Sequence, residues 1–252
     1  MISVGRPLIR VAETSSTMDL ASSLAASGAP SGTAVLAGHQ TEGRGRSGRT
    51  WNAEPWSSIL LSFIVRTRHD LLAIGALSPL IGLAVAETVE ECSNHPALVK
   101  WPNDVLVGER KIAGILIVTR SQPHAGATTP CLIAGIGLNV NLSRDHLPDT
   151  ATSLAHETGQ SQVPGDVLDV LFGKLSDTVT RFETGDTGNL WNRLESRIAC
   201  QDEWVRIEDG PRVLQGYLRG IARDGSLRID PGTGDEIQVV AGDLTRGPRR
   251  IP

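Results

Sequence analysis

The sequence predicts a two-part globular protein: a larger unit mixing helices and strands, followed by a small all-β unit. Three observations lead there. The chain has 252 residues, 40% apolar and 21% charged, enough apolar side chain for a substantial core and too much for full-length disorder or a fibrous fold. Up to about residue 199, aliphatic strand-like runs are interleaved with segments of helical spacing. From residue 200 onward the texture changes to short alternating runs separated by Asp-Gly turns.

Residues 16 to 28 read as a helix, with Ser16 or Thr17 as its cap, Leu20 and Leu24 on one face, and Gly28 to end it. A strand follows over 33 to 40. A polar Gly/Arg loop over 41 to 52 then leads to an aliphatic strand over 57 to 66, so the loop joins two core strands. Leu77, Ile81, Ala84 and Val85 space out a buried helix from 74 to about 92, with Pro79 suited to its first turn. Residues 97 to 119 read as a strand pair turning at Gly108, and 131 to 141 as a strand whose Gly135 and Gly137 let something approach the backbone closely. Helices over about 165 to 183 and 187 to 198 complete residues 1–199. Residues 200–252 form a small antiparallel barrel or meander, and the last seven residues read as a frayed tail.

Composition excludes several functions. No run of 18 apolar residues exists and the N-terminal segment lacks a signal-peptide core, so a cytoplasmic location is expected, with no membrane partner. Cys92, Cys131 and Cys200 are odd in number and far apart, which suits buried thiols and neither a disulfide framework nor a CxxC site. A net charge of −4 disfavours general nucleic-acid binding. Only three of the 24 basic residues are lysine, and two of these, Lys100 and Lys111, share one short segment.

Two constellations carry chemistry. Gly43 to Gly48, GRGRSG, matches a dinucleotide-binding fingerprint in letters, but no helix opens at its last glycines, so that reading fails. What the loop offers is Arg44, Arg46 and Arg49 among glycines, able to converge on one anion with charge-assisted bonds of about 1.5–3 kcal/mol each. The second is KWPNDVLVGERKIAGIL, residues 100 to 116. Pro102 biases Trp101 to an extended conformation and presents Asn103 and Asp104 at a bend, with oxygen atoms suited to magnesium or a nucleotide, while Lys111 returns beside that carboxylate.

Five ordered motifs together resemble the catalytic domain of the biotin protein ligases. They are Ser16-Thr17, GRGRSGRTW over 43 to 51, KWPND over 100 to 104, KIAGIL over 111 to 116, and GIGLN over 135 to 139. The resemblance implies an α+β catalytic domain with a mixed sheet, of the class II synthetase-like biotin/lipoate ligase type, over residues 1–199, and an SH3-like barrel over 200–252. It implies that ATP and biotin, with Mg2+, give biotinyl-5′-AMP, and that the biotin then passes to a lysine of a biotin carboxyl carrier protein or domain, as in acetyl-CoA carboxylase. It assigns biotin binding to Ser16, Thr17, Met18, Gln40, Gly43, Arg44, Gly45, Arg46, Lys111, Gly114 and Gly135. ATP or adenylate falls to Arg46, Arg49, Trp51, Lys100, Asn103, Asp104, Lys111 and Asn139. Lys111, Arg44, Arg46 and Asp104 are the expected catalytic groups, with Asp104 either meeting the metal through the phosphates or receiving the acceptor amine.

Two residues depart from the family pattern. Glu42 stands where a small residue is usual and is expected to face solvent or an arginine, and Met18 stands where asparagine is usual. About fifteen residues precede Ser16, too few for a helix-turn-helix domain, so neither DNA binding nor a repressor role is expected. Related ligases can pair through a sheet edge, which allows a homodimer. The competing readings are a lipoate or octanoate ligase of the same superfamily and an RNA-binding module using the arginine loop.

Overall fold

The structure is a computed structural model and describes residues 1–69, 74–124 and 127–247. The larger unit is built on a seven-stranded sheet of order β1-β2-β3-β7-β6-β5-β4. Its strands are β1 (Leu8–Thr14), β2 (Ala34–Gln40), β3 (Ser58–Arg66), β4 (Ala97–Lys100), β5 (Asp104–Val107), β6 (Arg110–His124) and β7 (Ala127–Asn139). Only β1 and β2 run parallel, so the sheet is mixed. Helices cover both faces, which is why β3 reads as an unbroken apolar run. Ile59, Leu61, Phe63 and Val65 join the main core, whereas Ile64 joins Met18, Ala21 and Ala25 of α1 (Thr17–Ala26) on the opposite face.

On the main face lie α2 (Leu77–Ser93), α4 (Pro164–Thr184) and α5 (Gly188–Glu195), while the short α3 (Leu154–Thr158) follows the end of the sheet. Pro79 sits in the first turn of α2, where a missing N–H costs no bond. Pro164 opens α4 and Gly185, at φ +76°, ends it. The second sheet is antiparallel, of order β11-β10-β9-β8-β12, with β8 (Trp204–Asp209), β9 (Arg212–Ile221), β10 (Leu227–Asp230), β11 (Ile237–Val239) and β12 (Asp243–Arg246). Among the described residues no helix is long and apolar enough to cross a membrane.

Three expectations need correction, and one strand was not foreseen. The strand pair over 97 to 119 is three strands, because the chain bends at Trp101–Asn103. The bend stays bound to β6 through Ile115 N–H to the Asn103 carbonyl (2.8 Å) and Asn103 Nδ2 to the Ile115 carbonyl (3.1 Å). Strand β1 had no sequence signal, since it is an edge strand with little apolar alternation. The expected tail begins inside β12, where Arg246 pairs with Glu203 and Glu109; residues 248–252 lie outside the described residues. Of the three thiols only Cys131 is fully buried, although burial raises the pKa of all three.

Candidate active site

A cleft of about 410 Å3 opens between the sheet, the N-terminus of α1, the Gly/Arg loop and one edge of the small barrel. At one end, Ser16 caps α1 by accepting from the Met18 N–H, and this fixes the next residue, Thr17, against the sheet. Thr17 donates from its backbone N–H and its hydroxyl to Gln40 Oε1 (2.8 and 2.9 Å), and its hydroxyl also meets Ser62 Oγ at 2.7 Å. Ser16, Thr17 and Ser62 are all buried, so this network is an ordered set of polar groups inside an apolar setting.

The floor is bare backbone. Gly114 and Gly137 face each other across β6 and β7, and Gly135 pairs with Leu116 one step along. A methyl at Gly137 would collide with the Trp51 indole, and one at Gly135 would come within 3.0 Å of Met18 Sδ. These glycines serve close approach, as expected from the sequence; none of the three requires a left-handed backbone. Trp51 therefore lies flat over the strands with Lys111 Nζ 5.5 Å from its ring centre, a cation–π arrangement.

The charges line the rest of the cleft. Lys111 Nζ lies 2.7 Å from Asp104 Oδ1. Lys111 is held from behind, because its N–H donates to the Thr150 carbonyl and its carbonyl accepts from Thr152. Arg44 makes a two-pronged contact to Asp19 on α1 (2.9 and 2.7 Å). Arg46 donates to Asn103 Oδ1 (3.1 Å) and to the Gly242 carbonyl (3.2 Å), with Asp243 Oδ1 3.4 Å away. Arg49 reaches Asp243 Oδ2 at 2.6 Å. The site is thus rich in cations already matched to carboxylates and amides, groups that an incoming anion can replace.

Of the residues expected at the site, Ser16, Thr17, Met18, Gln40, Arg44, Gly45, Arg46, Arg49, Trp51, Lys100, Asn103, Asp104, Lys111, Gly114 and Gly135 line this cleft. Gly43 and Asn139 do not. Gly43 accepts the Trp51 N–H and closes the loop hairpin, and Asn139 is buried with its Nδ2 on the Thr152 carbonyl. Asn103 lines the cleft, but its amide is committed to Arg46 and Ile115. Glu42 is exposed, as expected. No residue from 142 to 150 lines the cleft. Sequence reasoning missed Ser62, Glu208, Asp243 and Thr245; Trp101 and Gly137, singled out in the sequence without an assigned ligand, also line the cleft. A serine inside the aliphatic run of β3 was a readable signal for Ser62; the barrel residues carried none.

The cleft thus combines a glycine floor on a mixed sheet, an arginine loop above it and a lysine–aspartate pair. The model of the biotin/lipoate A/B protein ligase family matches residues 10–139. The biotin–[acetyl-CoA-carboxylase] ligase of Mycobacterium tuberculosis is 34% identical over 245 residues, covering 95% of this chain and 88% of that protein. The bifunctional ligase/repressor BirA of Bacillus subtilis is 35% identical over 166 residues, 66% of this chain. The match spans half the length of that relative and of its Bacillus spizizenii counterpart. Among solved structures, biotin protein ligase from Aquifex aeolicus in complex with biotin and ATP superposes with a TM-score of 0.80 at 30% identity, covering 95% of this chain and 99% of that one. The chain belongs to the biotin/lipoate A/B protein ligase family.

Proposed function

We propose that this protein is an ATP-dependent biotin protein ligase. In the first step a biotin carboxylate oxygen attacks the α-phosphorus of ATP and pyrophosphate leaves with its bonding electrons, giving biotinyl-5′-AMP. In the second, the neutral amine of one lysine on a biotin carboxyl carrier domain attacks the acyl carbon; the C–N bond forms, the C–O bond to AMP breaks, and the amine gives up a proton. The supporting observation is one cleft holding the Ser16–Thr17–Gln40–Ser62 network at one end and Lys111, Asp104 and Arg46 at the other. The first set suits the ureido head of biotin. The second suits the reacting phosphate.

Joining two anions requires cations fixed where charge develops, and Lys111 and Arg46 supply them. Arg44 and the bare Gly45 backbone would face the biotin carboxylate, and Gly114 and Gly135 would let the acyl chain lie on the strands. Trp51, Arg49 and Lys100 would attend the nucleotide. Among the described residues no group of three His, Cys, Asp or Glu side chains is placed to hold a metal, so these residues offer no dedicated cage. Of the three carboxylates lining the cleft, Asp104 stands beside Lys111, where an ion travelling on the triphosphate would come. Asp104 would hold a magnesium ion of that kind, whose chemistry is to neutralise phosphate charge. Once Lys111 turns to the phosphate, Asp104 is free to orient the acceptor amine and take its proton. We place the boundary between catalytic domain and barrel after residue 199, between α5 and β8.

The relatives' names favour biotin over lipoate and name acetyl-CoA carboxylase as the source of the acceptor domain. The experiment is transfer of labelled biotin to a carrier domain, with ATP omitted as control and lipoate as competing acid. ATP-dependent labelling of the carrier lysine is the expected result. Pyrophosphate release with lipoate and none with biotin would overturn it.

A further inference from the structure

The barrel takes part in the cleft through one acidic edge. Asp243 on β12 and Glu208 on β8 are direct partners across the antiparallel pair, and both line the cleft. Like charges directly opposite are destabilising, and cations beside them offset the repulsion. The cations come from two directions: Arg206 bonds Glu208 at 2.7 Å, and the Gly/Arg loop brings Arg46 and Arg49 to Asp243. Arg46 is gripped from both units at once, by Asn103 Oδ1 on the sheet side and by the Gly242 carbonyl and Asp243 carboxylate on the barrel side. Arg49 adds a second bond to the same carboxylate.

We propose that Asp243 is a positioning residue of the ligase reaction: a barrel-borne latch that holds the arginine loop closed over the cleft and so governs how long the acyl-adenylate stays bound. The latch acts through Arg46 and Arg49 and touches no reacting atom. Residues 43–51 are otherwise tied down by the Gly43–Trp51 and Gly45–Arg49 backbone bonds, which shape the hairpin, by Arg44 on Asp19, and at its far end by Trp51 on the glycine floor. Arg46 and Arg49 are its links to the barrel, and both converge on Asp243. Part of this inference, the identity of the retained intermediate, rests on the ligase reading; the loop closure itself does not.

The test compares wild type, Asp243→Asn and Asp243→Glu as full-length chains. Trypsin cleaves after arginine, and cleavage of a loop tracks its open population when opening is fast. Losing a charged latch between exposed groups should raise cleavage after Arg44, Arg46 and Arg49 about two- to fivefold in Asp243→Asn, with Asp243→Glu close to wild type. A general folding defect would lower the melting temperature and speed cleavage along the whole chain, so acceleration confined to the loop is the signature of a latch. Preformed biotinyl-adenylate should also escape Asp243→Asn faster by a similar factor. Loop cleavage equal to wild type would overturn the proposal, as would a glutamate variant no better than asparagine. If wild type forms no biotinyl-adenylate, the ligase reading falls while the proteolysis arm still decides the latch.

Discussion

Lys111 shows how one side chain is given its task by its backbone. Its main chain is bonded on both sides by Thr150 and Thr152, the register against β5 shifts by one extra residue, Ile112, just after it, and its ammonium reaches Asp104 and the Trp51 face. Removing the side chain leaves those backbone bonds intact. Lys111→Ala should therefore fold normally and yet form adenylate roughly 100- to 1,000-fold more slowly, the usual scale for losing one preorganised group at developing charge. Pyrophosphate release from biotin and ATP measures this directly; a rate near wild type would remove Lys111 from the reaction. Asp104 loses its cation in that variant, but it is partly open to water, so the cost to stability is small.

At the scale of elements, the loop between β2 and β3 meets the rest of the site through its arginines and through Trp51, which packs on the glycine floor. Arg46→Gly removes the bonds to Asn103 and Gly242 together and adds backbone freedom at a position now extended into a 3-10 turn. The expected outcome is leakage: adenylate forms, escapes, and labels lysines of bystander proteins. Mass spectrometry of an added inert protein would detect that labelling, and its absence would contradict the loop's retaining role. The loop, the lysine hairpin and the glycine floor were all legible because each is a local pattern of unusual residues. The paired strands β2, β3 and β7 were legible from aliphatic runs. Strand β1 was not, because an edge strand with half its residues open to water has no strict alternation, and β12 was hidden in a short polar segment. Asp19, the partner of Arg44, and Asp243 were invisible for another reason. Their role depends on residues 25 and 194 to 197 positions away in sequence meeting in space, which no window of local pattern contains.

Across the whole molecule, the barrel shares the main core with the larger unit, and one tight turn ties it to the cleft wall. The Gly225 carbonyl accepts the buried Trp101 indole N–H at 3.0 Å, and Trp101 is itself part of the cleft wall. Gly225 holds φ +88°, and any Cβ there would collide with the Gly75 backbone, so the turn needs glycine for both conformation and space. Asp224 fixes the turn by accepting from the Ser226 hydroxyl (2.7 Å) and the Ser226 N–H (2.9 Å). Those bonds, the hydroxyl first, hold its carboxyl below the usual range. A depressed folded-state pKa means that the stabilisation is complete above the unfolded value of roughly 3.9 and is lost as pH falls through the lower folded value. Asp224→Ala should therefore cost about 1 kcal/mol at pH 7, the usual net worth of such bonds, and progressively less below about pH 4. Melting curves of both proteins at pH 7 and pH 3 test this, and a gap that stays constant would show that the carboxylate does not set the turn. The same variant should also speed tryptic cleavage of the arginine loop at pH 7, because a barrel that sits loosely on Trp101 carries Asp243 away from Arg46 and Arg49.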